Sequence, residues 1–465
     1  FNPAVVCGYV QGYQASPISV TFNYPRWWKV GTALQQRDGT YYTKCFDELV
    51  DSPFLFGDLT TASLRISNTT IDIFCYSEHK LLSATLFADS IKPVILGVEE
   101  FLTKLPVPRY VFLFFFKKEA VGWALEHNYS SVHALREAKP ELLFRPPFDI
   151  NGVIVHEFCH TVTPLRLHSD VIEPFNFECP VASRHIWLYE GATEWLTGMA
   201  LLAGGTLSDE EFLKRRITKA RQMVDVYDST VSLVQGSLGC YDRYEREWAN
   251  AYGKGQLVTQ FMDMRLKELS HGAVGLRELI LKLMEEYGDG KTFPDEKLFD
   301  IMVSLSYPEL RETIDKYLLG TEPLPMKEYL AKVGYEYVPE LRTGKYKSYI
   351  RRWKHDTKNG VSGIIKDLDT TDAVVKQLGI RNGDIRKGMV YRGTVIRVEE
   401  SRYFRVAPDS IEIDEPFAFI VERDGKELRL HARAGKEEVI EKHKIVPMSN
   451  PANEQLELRS WWLSH

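Results

Sequence analysis

Only six cysteines are spread over the 465 residues, at positions 7, 45, 75, 159, 179 and 240, and no two stand at CxxC spacing. That scatter excludes a dense disulfide framework and a cysteine-based zinc site. No run of about 20 apolar residues occurs, so no segment reads as a membrane span. The apolar stretch Val111-Phe112-Leu113-Phe114-Phe115-Phe116 has the length of a buried strand instead. Excess charge of either sign is also missing. The formal net charge is -6, and the basic cluster Lys214-Arg215-Arg216 lies in an amphipathic helical pattern, read as a solvated face. A nucleic-acid partner is therefore not expected. Low-complexity tracts and internal repeats are absent, and 44% hydrophobic residues exclude long disorder. The chain starts at Phe1 without Met or a signal-peptide pattern. That start reads as a processed or incomplete N-terminus and favours an exported, periplasmic-type protein over a cytoplasmic one.

What is present suggests about three domains for this length. Residues 1–69 carry short β-branched and aromatic runs, at 18–22 and 40–43, broken by Pro, Gly and Asp, and read as a β region. In 70–325 a strand at 70–75, a helix at 91–105 and a strand at 110–116 come first. Helices follow at 187–203, after the capping box Ser208-Asp209-Glu210-Glu211, and at 252–268, 276–287 and 310–319. Strands first and helices afterwards predict an α+β domain. Beyond Pro323-Leu324-Pro325, residues 326–465 read as a separate β-rich domain, with a hairpin turn at Asp424-Gly425 between 417–421 and 428–431.

The strongest chemical signal is His156-Glu157-Phe158-Cys159-His160. Histidines at i and i+4 share a helix face, roughly 5–6 Å apart at Cβ, so both imidazoles can hold one metal ion. The carboxylate between them can then take a proton from a water at that metal. Zinc suits imidazole and carboxylate ligands and lowers the pKa of water to about 7. With 12 histidines in the chain, an HExxH by chance has a probability of roughly a few per cent. Val153, Ile154, Val155 and Phe158 also give the helix apolar faces to bury. The competing reading is a pair of core histidines satisfied by hydrogen bonds. Pro164 predicts that the helix stops near Thr163.

A catalytic zinc needs a third protein ligand. The HExxHxxGxxH pattern fails, because Thr163 and Arg166 occupy its Gly and third His positions. His168 stands past Pro164 and off the helix, and Glu173 and Glu178 lie in an irregular stretch with Pro174 and Pro180. Glu190, in Trp187-Leu188-Tyr189-Glu190-Gly191 on an amphipathic helix, is the preferred candidate. Glu194, four residues on, is placed to accept a hydrogen bond from a ligating imidazole, though a solvated glutamate fits the same position.

HExxH followed by a helix with WLYEG resembles the gluzincin metallopeptidases, in which the Glu of that second segment is the third zinc ligand. Two further stretches are similar to the glycyl aminopeptidase family, relatives of aminopeptidase N with a C-terminal PDZ domain. Gly122-Trp123-Ala124-Leu125-Glu126-His127-Asn128 resembles the segment that binds the substrate's α-ammonium, and Tyr252-Gly253-Lys254-Gly255 the segment whose Tyr donates to the oxyanion. Trp123-Ala124 replaces a Gly-Gly pair there, a change expected to bear on the first specificity pocket. Segments at 25–34 and 47–53 resemble those before the family's catalytic domain, and Leu378-Gly379-Ile380-Arg381-Asn382-Gly383-Asp384-Ile385 resembles a turn of PDZ domains. No carboxylate-binding loop is recognisable beside it, so a structural role is expected.

The resemblance implies an α+β multidomain protein: a partial N-terminal β-domain, a thermolysin-like zinc metallopeptidase domain and a PDZ-like C-terminal domain. It implies one zinc ion on His156, His160 and Glu190, Glu157 as general base, Tyr252 at the oxyanion, Glu126 on the substrate amine, and Glu194 behind a ligand. The expected activity is removal of N-terminal residues from peptide substrates, with a preference for small ones such as glycine. A gluzincin endopeptidase or oligopeptidase is the alternative, and a non-catalytic peptide-binding scaffold the rival of another class.

Overall fold

The computed structural model describes residues 1–119, 122–145, 148–173, 175–176, 179–351, 353–358, 361–397 and 411–463. They fall into two compact units, Phe1–Tyr337 with Ile445–His465, and Val338–Lys444. The first unit thus joins the stretches divided at residue 69 in the sequence reading and runs past 325. It also takes back the chain's end: in the helix Asn453–Leu463, Trp462 is fully buried beside Phe212, with ring centroids 5.8 Å apart. Arg459 there donates to the carbonyls of Val333 and Gly334 at 2.7 and 2.6 Å. So short an apolar spacing, Leu458 and Trp462, gives little periodic signal.

The first unit is built on a five-stranded sheet of β1 (Thr60–Ile66), β2 (Thr69–Ser77), β3 (Arg109–Lys117), β4 (Trp123–His127) and β5 (Ser130–Arg136), in the order β1-β2-β3-β5-β4. β2 and β3, and β3 and β5, run parallel, whereas β1 and the edge strand β4 are antiparallel to their neighbours. Strands buried on both faces read as unbroken apolar runs, which explains β3. One face packs on α1 (Ala84–Leu102), where Phe87 stacks on Phe114 at 4.1 Å. The same face packs on α2 (Ile150–Cys159), where Phe158 meets Tyr110 at 4.9 Å. The N-terminal β region covers the other face: a Cβ on Gly31 would lie 2.5 Å from Phe74 and 2.9 Å from Leu113. That region holds a three-stranded sheet of Ile18–Thr21, Thr40–Thr43 and Gln35–Arg37, around a cluster of Tyr41, Phe54, Phe22 and Phe56.

Asp149 caps α2, accepting from the Asn151 N–H at 3.1 Å. The helix stops at Cys159, short of the expected Thr163, because i→i−3 bonds from Thr161 to Phe158 (3.0 Å) and Val162 to Cys159 (2.9 Å) tighten the chain at once. Then comes α3, π-helical over Trp187–Ala192 and α-helical over Thr193–Ala203. The Ser208 capping box opens α4, at 209–224, which is π-helical over Leu213–Thr218. The helix α5 is π-helical over Ala251–Gly255 and α-helical over Gln256–Leu269.

In the second unit an antiparallel sheet runs through Lys354–Lys358, Val361–Lys366, Ile385–Tyr391, Pro416–Arg423 and Lys426–Arg433, and Thr394–Arg397 pairs with Ile385–Tyr391. Asp424 (φ 51°) and Gly425 (φ 72°) both take positive φ, as a tight two-residue hairpin needs. The turn after the helix Ala373–Leu378 buries Asp384, which holds Arg423 through bonds of 2.7 Å from both Nε and Nη2. Among the described residues no helix is long and apolar enough to cross a membrane. None of the six cysteines is disulfide-bonded.

Candidate active site

His156 and His160 project from the last turn of α2 with rings at 88° and Nε2 atoms 3.1 Å apart. Glu190 Oε2, from the π-helical turn of α3, lies 3.2 Å from His156 Nε2 and 3.7 Å from His160 Nε2. A tetrahedral zinc with ligands at about 2.0–2.1 Å holds its donor atoms roughly 3.3 Å apart, so the spacing of this triplet fits the ion. Two imidazole nitrogens so close to each other need a proton or a cation between them. Of the far nitrogens, His160 Nδ1 hydrogen-bonds the Thr163 carbonyl at 3.0 Å, and His156 Nδ1 pairs with Glu194 Oε1 at 3.2 Å outside hydrogen-bond geometry. Those contacts direct both Nε2 lone pairs inward.

Of the other ligand candidates, His168 is engaged at both nitrogens, by the Pro164 carbonyl at 2.6 Å and by Glu173. Glu178 and Pro174 lie outside the described residues.

Burial would discharge His156, but Glu190 and Glu194 outweigh it and hold its pKa well above the ordinary value. Burial would equally raise Glu194, yet Arg216 and His156 pull it down to about 2. Arg216 bonds that carboxylate and also donates to the Glu194 carbonyl at 2.7 Å. The basic cluster is therefore only partly the solvated face expected from sequence: Lys214 is exposed, while Arg215 pairs with Asp149 at 2.6 Å and Arg216 turns inward. The π-helical turn of α4 shifts the register that an α-helical wheel assumes. No local signal in the sequence links Arg216 to Glu194.

Glu157 is buried beside the histidines, and burial, opposed by His156 and His160, raises its carboxyl to about 7. Its backbone carbonyl accepts from the buried Tyr110 hydroxyl at 3.1 Å, which ties the end of α2 to β3. Tyr252 faces the triplet too, its ring centroid 5.9 Å from that of His156, and lies beside the Glu190 carboxylate. Burial and that carboxylate raise its pKa, so it stays a neutral donor. The two π-helical turns meet where a Cβ on Gly191 would lie 2.6 Å from the Gly255 carbonyl carbon and 2.8 Å from the Ala251 oxygen.

On the edge strand β4, Glu126 stands opposite Ser131 of β5. Ligand atoms of Glu126, Glu157 and His160 lie within 4.8 Å of one another. Alternation along the strand turns Trp123 to the face opposite Glu126, and Trp123 is half exposed. Ala124, the other residue of the Trp123-Ala124 pair, shares the Glu126 face. Asp51 fixes the end of β4, 2.9 Å from His127 Nδ1 and 3.0 Å from the Asn128 N–H.

Residues 1–58 match the model of the peptidase M61 N-terminal domain, and residues 149–258 match that of the M61 glycyl aminopeptidase. The second match spans α2, Glu190, Glu194 and Tyr252. Both stretches thus resemble the M61 peptidases. Among solved structures, the chain is similar to an aminopeptidase N family protein from Idiomarina loihiensis. That match has a TM-score of 0.71 at 16% identity, over 100% of this chain and 82% of that one. Native leukotriene A4 hydrolase from Saccharomyces cerevisiae overlaps 68% of this chain and 49% of its own, at 16% identity and a TM-score of 0.45. No curated protein matches the sequence. The chain is a zinc metallopeptidase, and its substrates are peptides.

Proposed function

We propose that this metallopeptidase is an aminopeptidase, releasing one residue at a time from the N-terminus of peptides. The observation that carries the reading is Glu126, whose carboxylate converges with Glu157 and His160 at the end of an edge strand. An extended peptide can pair with such an edge, and a carboxylate at its end is a counter-charge for a free α-ammonium. An anchor so close to the triplet leaves room for one residue before the scissile bond.

His156, His160 and Glu190 would hold a single zinc ion. When bound, zinc supplies Lewis acidity at the scissile carbonyl and at the attacking water. Glu157, raised to about 7, accepts the proton of that water and delivers it to the leaving amine. Tyr252 donates its hydroxyl hydrogen to the developing oxyanion, a role for which a neutral phenol is suited. Glu194, held by Arg216, is the charge partner of His156 Nδ1 and would set the ring's orientation. For the second unit, the turn from the helix Ala373–Leu378 through Gly383 into Ile385–Tyr391 supports a PDZ-like reading with a structural role.

The test compares matched peptides with free and acetylated N-termini on the zinc-loaded protein. Cleavage of the first bond of the free peptides alone is expected. Equal cleavage of the acetylated series would overturn the aminopeptidase reading in favour of an endopeptidase. Resemblance implies a preference for glycine, but the space beside Glu126 is larger than glycine uses.

A further inference from the structure

We infer that the side chain this enzyme selects on the first residue is large and apolar, aromatic above all, and not that of glycine. The inference rests on the aminopeptidase reading and concerns the same site. A cavity of about 360 Å³ opens beside the triplet, with Glu126 and Glu190 both in its wall. On a peptide bound by its amine, the first Cα is the atom bonded both to that amine and to the scissile carbonyl. Its side chain therefore starts between Glu126 and Glu190 and extends into this cavity.

The rest of the wall is chiefly apolar, with Ile172, Ala182, Ile186, Tyr241 and Trp248 contributing. Trp248 also packs on Tyr252, ring centroids 6.0 Å apart, so one wall residue of the pocket touches the oxyanion-donor candidate. A space of this size lies within the roughly 300–1,000 Å³ of pockets that enclose small ligands. Behind glycine it would hold on the order of ten waters, at about 30 Å³ each, against apolar walls. An aromatic ring displaces that water and offers its faces and edges to Trp248 and Tyr241. A basic side chain would gain little, because Glu190 is engaged by His156 and Glu126 by the substrate amine.

The full-length, zinc-loaded protein is tested on peptides differing only in a first residue of Gly, Ala, Leu, Phe, Trp or Lys, with N-acetyl-Phe alongside. Phe or Trp should exceed Gly in kcat/KM by at least about 10²-fold, since a single methylene in an apolar pocket is already worth about tenfold or more. Gly, Ala or Lys turned over as fast as Phe would overturn the inference while leaving the aminopeptidase reading intact. N-acetyl-Phe cleaved as fast as free Phe would overturn the aminopeptidase reading itself, and the inference with it. Ala182→Phe fills the cavity from its wall. With zinc content unchanged, its Phe-to-Gly ratio in kcat/KM should fall by about tenfold or more. A ratio equal to that of the parent protein would show that the side chain goes elsewhere.

Discussion

Gly191 lies against Gly255 with no space for a side chain of its own: a Cβ on Gly191 would sit 2.6 Å from the Gly255 carbonyl carbon, while one on Gly255 would make a tight 3.2 Å contact with the Gly191 Cα. The residue before Gly191 is Glu190, and Tyr252 lies one turn before Gly255, so this contact sets the distance between the third metal-ligand candidate and the oxyanion-donor candidate. Both glycines lie in π-helical turns, where one extra residue per turn carries these two side chains toward His156.

Gly191→Ala should force α3 and α5 apart. A displacement of about 1 Å at reacting groups can cost on the order of 10²-fold in rate. The expected result is a loss of that size in kcat with helical circular dichroism retained. Full activity in Gly191→Ala would refute the spacing argument.

Glu157→Gln keeps the shape of the side chain and removes the proton acceptor. Steady-state kinetics should show kcat lowered by about 10²–10⁴-fold. Zinc content, read by elemental analysis, should stay that of the parent protein, because the change leaves His156, His160 and Glu190 in place.

Glu194→Gln leaves His156 Nδ1 with a neutral partner and Arg216 without its counter-charge. Loss of such a supporting group typically weakens metal binding by about 10–100-fold. Dialysis against graded chelator should strip zinc from the variant first, and excess zinc should restore activity. Equal zinc retention by both proteins would remove Glu194 from the site.

Asp263 on α5 provides a pH test away from the metal site. Burial raises its carboxyl to about 6, although Lys267 and the Leu276 N–H, bonded at 2.8 Å, pull the other way. A raised folded-state pKa favours the protonated form. The stabilisation is therefore complete below the ordinary carboxyl pKa near 4 and is lost as pH rises through about 6. Asp263→Asn keeps an acceptor for Leu276 and cannot ionise. Denaturant melts should find the variant more stable than the parent at pH 8, by up to about 3 kcal/mol. That gain should vanish by about pH 4.

Several elements were legible because their causes are local. Ser208 and Glu211 form a capping box from side chains three residues apart, and Asp424-Gly425 turns because both residues accept positive φ. β3 announced itself through an apolar run that burial on both faces requires. Other features were hidden. The early stop of α2 depends on i→i−3 bonds that Pro164 does not encode by itself, and Arg216 points inward only because α4 contains a π-helical turn. The return of 445–465 to the first unit rests on Trp462 finding a long-range hole beside Phe212.

The sequence by itself determined the pair His156 and His160, because i,i+4 spacing puts them on one helix face whatever surrounds the helix. It also marked Glu190, Tyr252 and Glu126 as residue types with suitable chemistry in similar segments, without saying what they touch. Tertiary structure decided that Glu190 meets both Nε2 atoms, that Arg216 stands behind Glu194, and that a cavity opens between Glu126 and Glu190. These relations join residues tens of positions apart, and their ångström distances come from packing such as Gly191 on Gly255. Local spacing carries no record of such contacts, because close packing of whole elements sets them.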